Sequence, residues 1–251
     1  MKLFLVATYC LAILASASEG RKYDDPEELL NVCMDGINHK KAPSVEELYG
    51  QCKPWASNAC CTYNTTKEFQ TNPTWYDMDW NHCKIPLSQS CKKHFMQDLC
   101  FYECEANLGP WLKNVSMNIR NEKFIDVPLC RSECDNWWND CMHDWTCLDD
   151  WSTGFDWSSG QNECPKGAEC RKILELFGDS VTFCEQIWGS SYKVVDDKQP
   201  CMKIYFNASE GNPNSEVTEW KVEQMSSTMQ TRALLSSTLL ITLLAEMLQQ
   251  Q

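Results

Sequence analysis

The sequence predicts one disulfide-rich globular domain that is mainly α-helical with a few short β-strands. Of the 17 cysteines in 251 residues, all but Cys10 lie between Cys33 and Cys201 and recur every few residues, a density typical of disulfide scaffolds. Helix-capping patterns are frequent in this region, whereas strand patterns are few and short. No internal repeat or low-complexity stretch interrupts it, so we expect a single domain.

Three helices are predicted in the N-terminal half. An Asp-Pro pair at 25–26, followed by two glutamates, is typical of a helix start. Ser44 and Glu47 have the spacing of a capping box and predict a second start. A longer helix is predicted over about 89–105, because the Gly-Pro pair at 109–110 would stop it.

Two more helices are predicted in the C-terminal half. The first spans about 129–142, and the following four side chains recur at helical spacing on one face: Cys130, Cys134, Trp137 and Cys141. The second is predicted to begin after an Asp179 cap and to stop at Gly189.

Residues 1–17 are predicted to be a secretory signal peptide. A Met-Lys pair provides a basic start, residues 3–14 are almost wholly apolar, and residues 15–17 (Ala-Ser-Ala) form a small-residue cleavage site. A membrane-spanning helix is the alternative, but an apolar run of about 12 residues is shorter than the roughly 20 that span a bilayer. Cleavage removes Cys10 and leaves an even number of cysteines in an oxidising compartment, as eight disulfides require.

The C-terminal segment predicts attachment of a glycosylphosphatidylinositol (GPI) anchor at Ser226. Small residues beginning there and a short polar spacer precede a largely apolar stretch at 233–248. Residues 227–251 would then be a removed propeptide, and residues 18–226 the mature ectodomain on the extracellular face of the plasma membrane. The alternatives are a loosely packed amphipathic tail and a transmembrane helix, the latter disfavoured by length and by an internal glutamate.

Sequons and charge agree with a secretory route. Three N-x-[ST] triplets, at Asn64, Asn114 and Asn207, predict N-glycosylation on exposed loops. The formal net charge is −13 and no cluster of Lys and Arg is present, so a nucleic-acid partner is not expected.

Motifs for catalysis and metal binding are missing from the sequence. The four histidines form no H-E-x-x-H pattern, and there is no G-x-S-x-G, P-loop or G-x-G-x-x-G. No C-x-x-C pair of zinc-site spacing occurs, and the signal peptide favours disulfides over metal. We therefore expect no enzyme activity, no metal site and no cofactor.

One helical pair is a candidate for ligand binding. Asp98 and Tyr102 are i, i+4 neighbours on the helix predicted over 89–105, so a carboxylate and a phenol project from one face. If Asp98 is partly buried, its carboxylate needs a partner. An exposed Asp98 on the helix surface is the alternative that spacing leaves open, and the tryptophans are equally compatible with a core and with a pocket wall.

Ten short segments carry distinctive motifs in a fixed order. They are 29–34 (LLNVCM), 52–61 (CKPWASNACC), 80–83 (WNHC), 91–104 (CKKHFMQDLCFYEC), 107–111 (NLGPW), 127–130 (VPLC), 137–141 (WWNDC), 187–188 (IW), 191–194 (SYKV) and 211–214 (GNPN). Together they resemble the folate receptor family over about residues 29–214, with every cysteine after Cys10 placed.

The resemblance implies a disulfide pairing, which spacing alone leaves open. The implied pairs are Cys33–Cys60, Cys52–Cys100, Cys61–Cys104, Cys83–Cys170, Cys91–Cys141, Cys130–Cys201, Cys134–Cys184 and Cys147–Cys164.

The resemblance also implies a deep pocket for the pterin ring of folate or reduced folates. The Asp98 carboxylate would accept two N–H bonds from the amino-pyrimidine edge of the ring. The other implied contacts are the aromatic residues Tyr76, Trp80, Tyr102 and Trp188, the polar residues Arg120, Lys123 and Ser191, and Gly154, Phe155 and Trp157 of a mouth loop. The implied protein is a GPI-anchored cell-surface receptor that delivers its ligand by endocytosis, and hence also reaches endocytic vesicles.

Departures from the family pattern concentrate at the mouth. The loop at 152–157 reads S-T-G-F-D-W, whereas the matching loop of the family resembles H-K-G-W-N-W. Basic residues are therefore lost and Asp156 is gained. Lys123 replaces an arginine, Ile119 a tryptophan and Met78 a phenylalanine. Pterin capture is therefore better supported than capture of the glutamate tail. A gamete-adhesion receptor with an extracellular protein partner and a carrier of riboflavin or another vitamin are the alternatives.

Overall fold

The computed structural model describes residues 25–249 except 73 and 118, and no side chains at 76, 233 and 236–249. The predicted signal peptide and Cys10 lie outside the described residues. Among the residues described, no helix combines the length and the apolarity needed to cross a bilayer.

The described chain is mainly helical. The α-helices are α1 (Tyr63–Thr71), α2 (Gln89–Cys104), α3 (Arg131–Cys141), α4 (Ile173–Phe177), α5 (Ser180–Gln186) and α6 (Asn214–Gln249). Short 3-10 helices cover Pro26–Leu29, Gly50–Trp55, Trp75–Asp77, Gly109–Trp111 and Ala208–Glu210. The first of these follows a side-chain cap from Asp25, so the Asp-Pro pair starts a single 3-10 turn.

In the described part of the chain, seven short strands lie between the helices. They are β1 (Leu112–Met117), β2 (Arg120–Phe124), β3 (Val127–Cys130), β4 (Trp145–Thr146), β5 (Arg171–Lys172), β6 (Ile187–Ser190) and β7 (Tyr192–Val195). β1 and β2 form an antiparallel hairpin, β3 pairs with β7 in parallel, and β4 pairs with β5 antiparallel.

Helix α2 confirms the longest predicted helix. It begins after Ser88, whose hydroxyl accepts a hydrogen bond from Cys91 N at 3.2 Å, and it ends one residue before Glu105. Helix α3 starts later than predicted, because residues 127–130 pair with β7 as β3. Its predicted face of cysteines and Trp137 is buried.

The capping-box prediction at Ser44 and Glu47 is wrong. The backbone of Ser44 exchanges two hydrogen bonds with that of Ala59, at 3.2 and 2.9 Å, so the segment is extended. Helix α5 begins after the Asp179 cap as predicted but ends before Gly189, because the chain continues as β6.

All sixteen described cysteines are joined in eight disulfides, with the pairing that the resemblance implied. Three of these bonds attach α2 to other segments: Cys52–Cys100, Cys61–Cys104 and Cys91–Cys141. Between these anchors Phe95 and Phe101 are fully buried, and the Phe95 ring stacks on Trp151 with centroids 4.8 Å apart. Helix α2 therefore lies inside the core of the domain.

Glu105, the residue after α2, is a buried carboxylate with an unusually complete set of donors. It accepts hydrogen bonds from the Trp55 indole at 3.0 Å and from the backbone and side chain of Asn107 at 3.0 and 2.6 Å. The side-chain amides of Asn212 and Asn214 donate from 3.0 and 2.9 Å. This carboxylate joins an N-terminal 3-10 helix, the end of α2 and the start of α6.

We expect Glu105→Gln to lower the free energy of unfolding by about 2–3 kcal/mol, because one acceptor oxygen becomes an N–H donor facing other donors. Urea denaturation at neutral pH with the disulfides intact measures this change. Glu223 is exposed on α6, so Glu223→Gln is a matched control that should change stability by less than about 0.5 kcal/mol. Equal stabilities of the two variants would contradict the expectation.

Candidate functional site

A cavity of about 690 Å³ opens between α2 and the β1–β2 hairpin. It is lined from α2 by Asp98, Leu99, Tyr102 and Glu103, from the hairpin by Ser116, Met117, Ile119, Arg120, Lys123 and Phe124, and from other segments by His39, Trp75, Asp77, Met78, Trp80, Trp151, Ser152, Trp157, Trp188 and Ser191. Its size is typical of a small-molecule site.

Asp98 is buried in this cavity, at 4% exposure. Its Oδ1 accepts a hydrogen bond from the Tyr192 hydroxyl at 2.6 Å. Burial raises the pKa of Asp98 to about 7, against the opposing effects of the Tyr192 hydroxyl and the nearby Trp188 indole. The carboxyl group is therefore held in one orientation and changes charge near neutral pH.

Tyr102 and Arg120 form a second polar group in the wall. A guanidinium N–H of Arg120 donates to the Tyr102 hydroxyl, and the guanidinium carbon lies 5.1 Å from the centroid of the Tyr102 ring. Burial raises the pKa of the Tyr102 phenol further above its usual value, so the phenol remains protonated. Lys123, half-buried nearby, has a pKa lowered by burial and by the charge of Arg120.

Glu103 is a buried carboxyl group whose oxygens have no hydrogen-bond partner among the described residues. Burial raises its pKa to about 8, although the charge of Arg120 opposes this shift. His39 Nε2 lies 3.6 Å from Glu103 Oε2 and 3.2 Å from the carbonyl oxygen of Tyr102. Because burial also lowers the pKa of His39, this contact joins two neutral groups at neutral pH.

The remaining wall is aromatic. The rings of Trp151 and Trp188 meet edge to face with centroids 5.8 Å apart, and Trp80 lies 6.2 Å from Trp151. The Trp188 indole nitrogen is buried and makes no hydrogen bond to any described residue. Flat rings with a few polar groups at the edges suit a planar heteroaromatic ligand.

Comparison with known proteins gives the family to which this chain belongs. A family model described as the folate receptor family matches residues 32–203. This chain belongs to the folate receptor family. It is 40% identical over 242 residues to folate receptor gamma of Homo sapiens, covering 94% of this chain and 97% of that relative.

Two further relatives are similar over most of their length. Folate receptor alpha of Homo sapiens is 40% identical to this family member over 204 residues, 79% of each chain. The riboflavin-binding protein of Gallus gallus is 30% identical over 181 residues, 68% of this chain and 71% of that relative.

In this folate receptor family member, most of the residues implied by the resemblance lie together on the cavity wall: Asp98, Tyr102, Trp80, Arg120, Lys123, Trp157, Trp188 and Ser191. The side chain of Tyr76 lies outside the described part of the chain. Trp157 is 44% exposed and lies at the opening of the cavity.

Gly154 and Phe155 depart from the expectation, since neither lines the cavity. Phe155 is buried in the core, where its ring lies 4.9 Å from that of His82 and 6.1 Å from that of Trp151. Gly154 packs against the backbone, because an added Cβ would lie 2.7 Å from the carbonyl oxygen of Asp150. Both residues of the mouth loop therefore pack against the protein and do not face the cavity.

Sequence reasoning missed His39, Glu103 and Trp151 as cavity residues and Tyr192 as the partner of Asp98. Tyr192 is 94 positions from Asp98, and no local pattern connects them. Glu103 follows Tyr102 directly on α2, but the burial of a helical glutamate depends on segments packed from elsewhere. The one available signal was the SYKV motif, which contains Tyr192.

We expect Asp98→Asn to gain stability relative to the native protein as the pH rises. The pKa of Asp98 is raised in the folded state, so the protonated carboxyl contributes stability that is complete below about pH 4 and is lost as the pH rises through about 7. Asparagine has no such dependence. Between about pH 4.5 and 8, the relative stability of the variant should rise by at most about 4 kcal/mol.

Urea unfolding curves at the two pH values measure this difference. Asp149→Asn, at an exposed acidic position, is the control and should show no comparable trend. A difference between native protein and Asp98→Asn that is independent of pH would contradict the assigned pKa.

Proposed function

We propose that this protein is a receptor that binds folate and reduced folates in the cavity, with the pteridine ring held by Asp98. The observation that carries the proposal is a buried carboxyl group, oriented by Tyr192, at the wall of an aromatic cavity in a chain that belongs to the folate receptor family. The names of two relatives, folate receptor gamma and folate receptor alpha, agree with it.

The chemistry of the ligand matches that of the wall. The 2-amino group and adjacent ring nitrogen of a pterin present N–H donors in parallel, and an ionised Asp98 accepts both in charge-assisted bonds. Tyr192 occupies one lone pair of Oδ1 and leaves the others for the ligand. Tyr102 and Trp188 would contact the ring faces, while Arg120 and Ser191 would reach its carbonyl edge.

The disulfide framework supports binding to a preformed cavity. Helix α2, which carries Asp98 and Tyr102, is anchored by three disulfides. Little conformational entropy then remains to be lost when a ligand binds.

We further propose that the receptor acts at the cell surface. A signal peptide at 1–17, a GPI anchor at Ser226 and removal of 227–251 would place residues 18–226 outside the plasma membrane, with uptake by endocytosis. Before processing, Ser226 lies within α6. The sequon asparagines Asn64, Asn114 and Asn207 are exposed, as glycosylation requires. The prediction that all three lie in loops is wrong, since Asn64 lies in α1 and Asn114 in β1.

We propose a binding protein with folate as its ligand, without a cofactor or a catalytic step. The riboflavin-binding relatives make riboflavin the natural competitor to test. A gamete-adhesion role would instead give no saturable folate binding and would require a protein partner.

We expect Asp98→Ala to weaken folic acid binding at least tenfold, because a charge-assisted pair of hydrogen bonds is lost. Isothermal titration calorimetry at pH 7.4 measures the dissociation constant, with riboflavin titrated in parallel. Asp149→Ala, at an exposed carboxylate that does not line the cavity, should bind like the native protein. Unchanged affinity in Asp98→Ala would remove the assignment of the pocket.

We also expect the affinity for folic acid to fall at least tenfold between pH 7.4 and 5. The empty cavity raises the pKa of Asp98 to about 7, so at pH 5 the carboxyl must lose a proton before it can accept two N–H bonds. Asp98→Asn should bind weakly with a shallower pH dependence. A native affinity that is flat over this range would exclude Asp98 as the titrating group.

A further inference from the structure

The opening of the cavity is formed by four residues that both line it and are exposed: Asp77, Ser116, Met117 and Trp157. We call these residues the rim. Two of them are apolar, with Met117 40% exposed and Trp157 44% exposed. The one charged group in this set is the carboxylate of Asp77.

Several residues around the rim are apolar or acidic. Half-exposed Ile119 lines the cavity next to the rim, and its carbonyl oxygen accepts a hydrogen bond at 3.1 Å from the backbone of Ile37. The Ile37 side chain is 67% exposed. Asp156, directly before Trp157, is exposed as well.

The two cations that line the cavity, Arg120 and Lys123, are half-buried, and Arg120 reaches the rim, where its Nε lies 3.4 Å from the Met117 sulfur. Arg120 donates to the Tyr102 hydroxyl and approaches the buried carboxyl of Glu103 closely enough to influence its ionisation. Lys123 is half-buried, and the charge of Asp150 acts on it. Neither cation is itself exposed, and two N–H groups of Arg120 are already directed at the Tyr102 hydroxyl and the Met117 sulfur.

The overall charge adds to this arrangement. The chain has a formal net charge of −13, so an anion approaching the mouth is repelled from a distance of about one Debye length, roughly 8–10 Å. A ligand end with several carboxylates gains no compensating ion pair at the described rim.

We infer that the rim selects pteridine ligands by charge: a second carboxylate at the outer end of the ligand contributes nothing to affinity, and further carboxylates weaken binding. This inference rests on the proposed function. The ligand class is thus a pteridine with a neutral or singly charged, partly apolar outer end, for which Met117, Ile119 and Trp157 provide contact area.

Pteroic acid and folic acid test the effect of the second carboxylate, since they share the pteridine and aminobenzoyl groups and differ by the glutamate. Calorimetric titrations of the processed protein at pH 7.4 should give pteroic acid an affinity equal to that of folic acid within threefold, or higher. Pteroyltriglutamate should bind at least threefold more weakly than folic acid.

Two results would overturn the inference while leaving the proposed function standing: folic acid more than threefold tighter than pteroic acid, or pteroyltriglutamate as tight as folic acid. Absence of binding by all three ligands would overturn the proposed function, and this inference with it.

A charge placed next to the rim provides the matched test. Ile119→Lys should shift the ratio of affinities toward folic acid by at least fivefold, because the new ammonium group can pair with the second carboxylate. Ile85→Lys makes the same change at an exposed position that does not line the cavity, and it should leave the ratio unchanged. Identical ratios in the two variants would show that the outer end of the ligand does not lie at this rim and would overturn the inference.

Discussion

The anchoring of helix α2 by three disulfides is the constraint on which the cavity depends. Cys91, Cys100 and Cys104 attach the helix to three different segments, and Asp98 lies between two of these anchors. A buried carboxyl group is costly and would turn toward water if its helix could rotate. Covalent attachment removes that freedom. The stability of the disulfide-linked domain then offsets the free-energy cost of burying Asp98.

Three carboxyl groups near the end of α2 have different environments, and their donors explain the difference. Glu105 accepts hydrogen bonds from several N–H groups and joins distant segments. Asp98 accepts one hydrogen bond, from the Tyr192 hydroxyl, and Glu103 accepts no hydrogen bond from a described residue. Burial accordingly raises the pKa of Asp98 to about 7 and that of Glu103 to about 8. The Glu105 carboxylate is fully hydrogen-bonded within the fold, whereas Asp98 keeps acceptor capacity at the wall of the cavity.

Local sequence patterns predicted secondary-structure elements well where the stabilising contacts are also local in sequence. The starts of α2 and α5 follow from the side chains of Ser88 and Asp179, which accept hydrogen bonds from backbone N–H groups three residues further along the chain. The pattern at Ser44 was misleading because Ala59, distant in sequence, takes the backbone hydrogen bonds that a helix would need. Phe155 was assigned to the pocket by resemblance, but here the ring packs against His82 and Trp151 instead.

The sequence by itself predicted a secretory route, and it determined the class of fold and, through resemblance, the pairing of the cysteines and the central role expected of Asp98. These depend on composition and on the order of motifs, both of which are readable along the chain. Only the tertiary structure decided that Tyr192 orients Asp98, that Glu103 is buried without a donor, and that the exposed rim carries a single carboxylate. Each of these features joins segments far apart in sequence, and burial and electrostatics act through space.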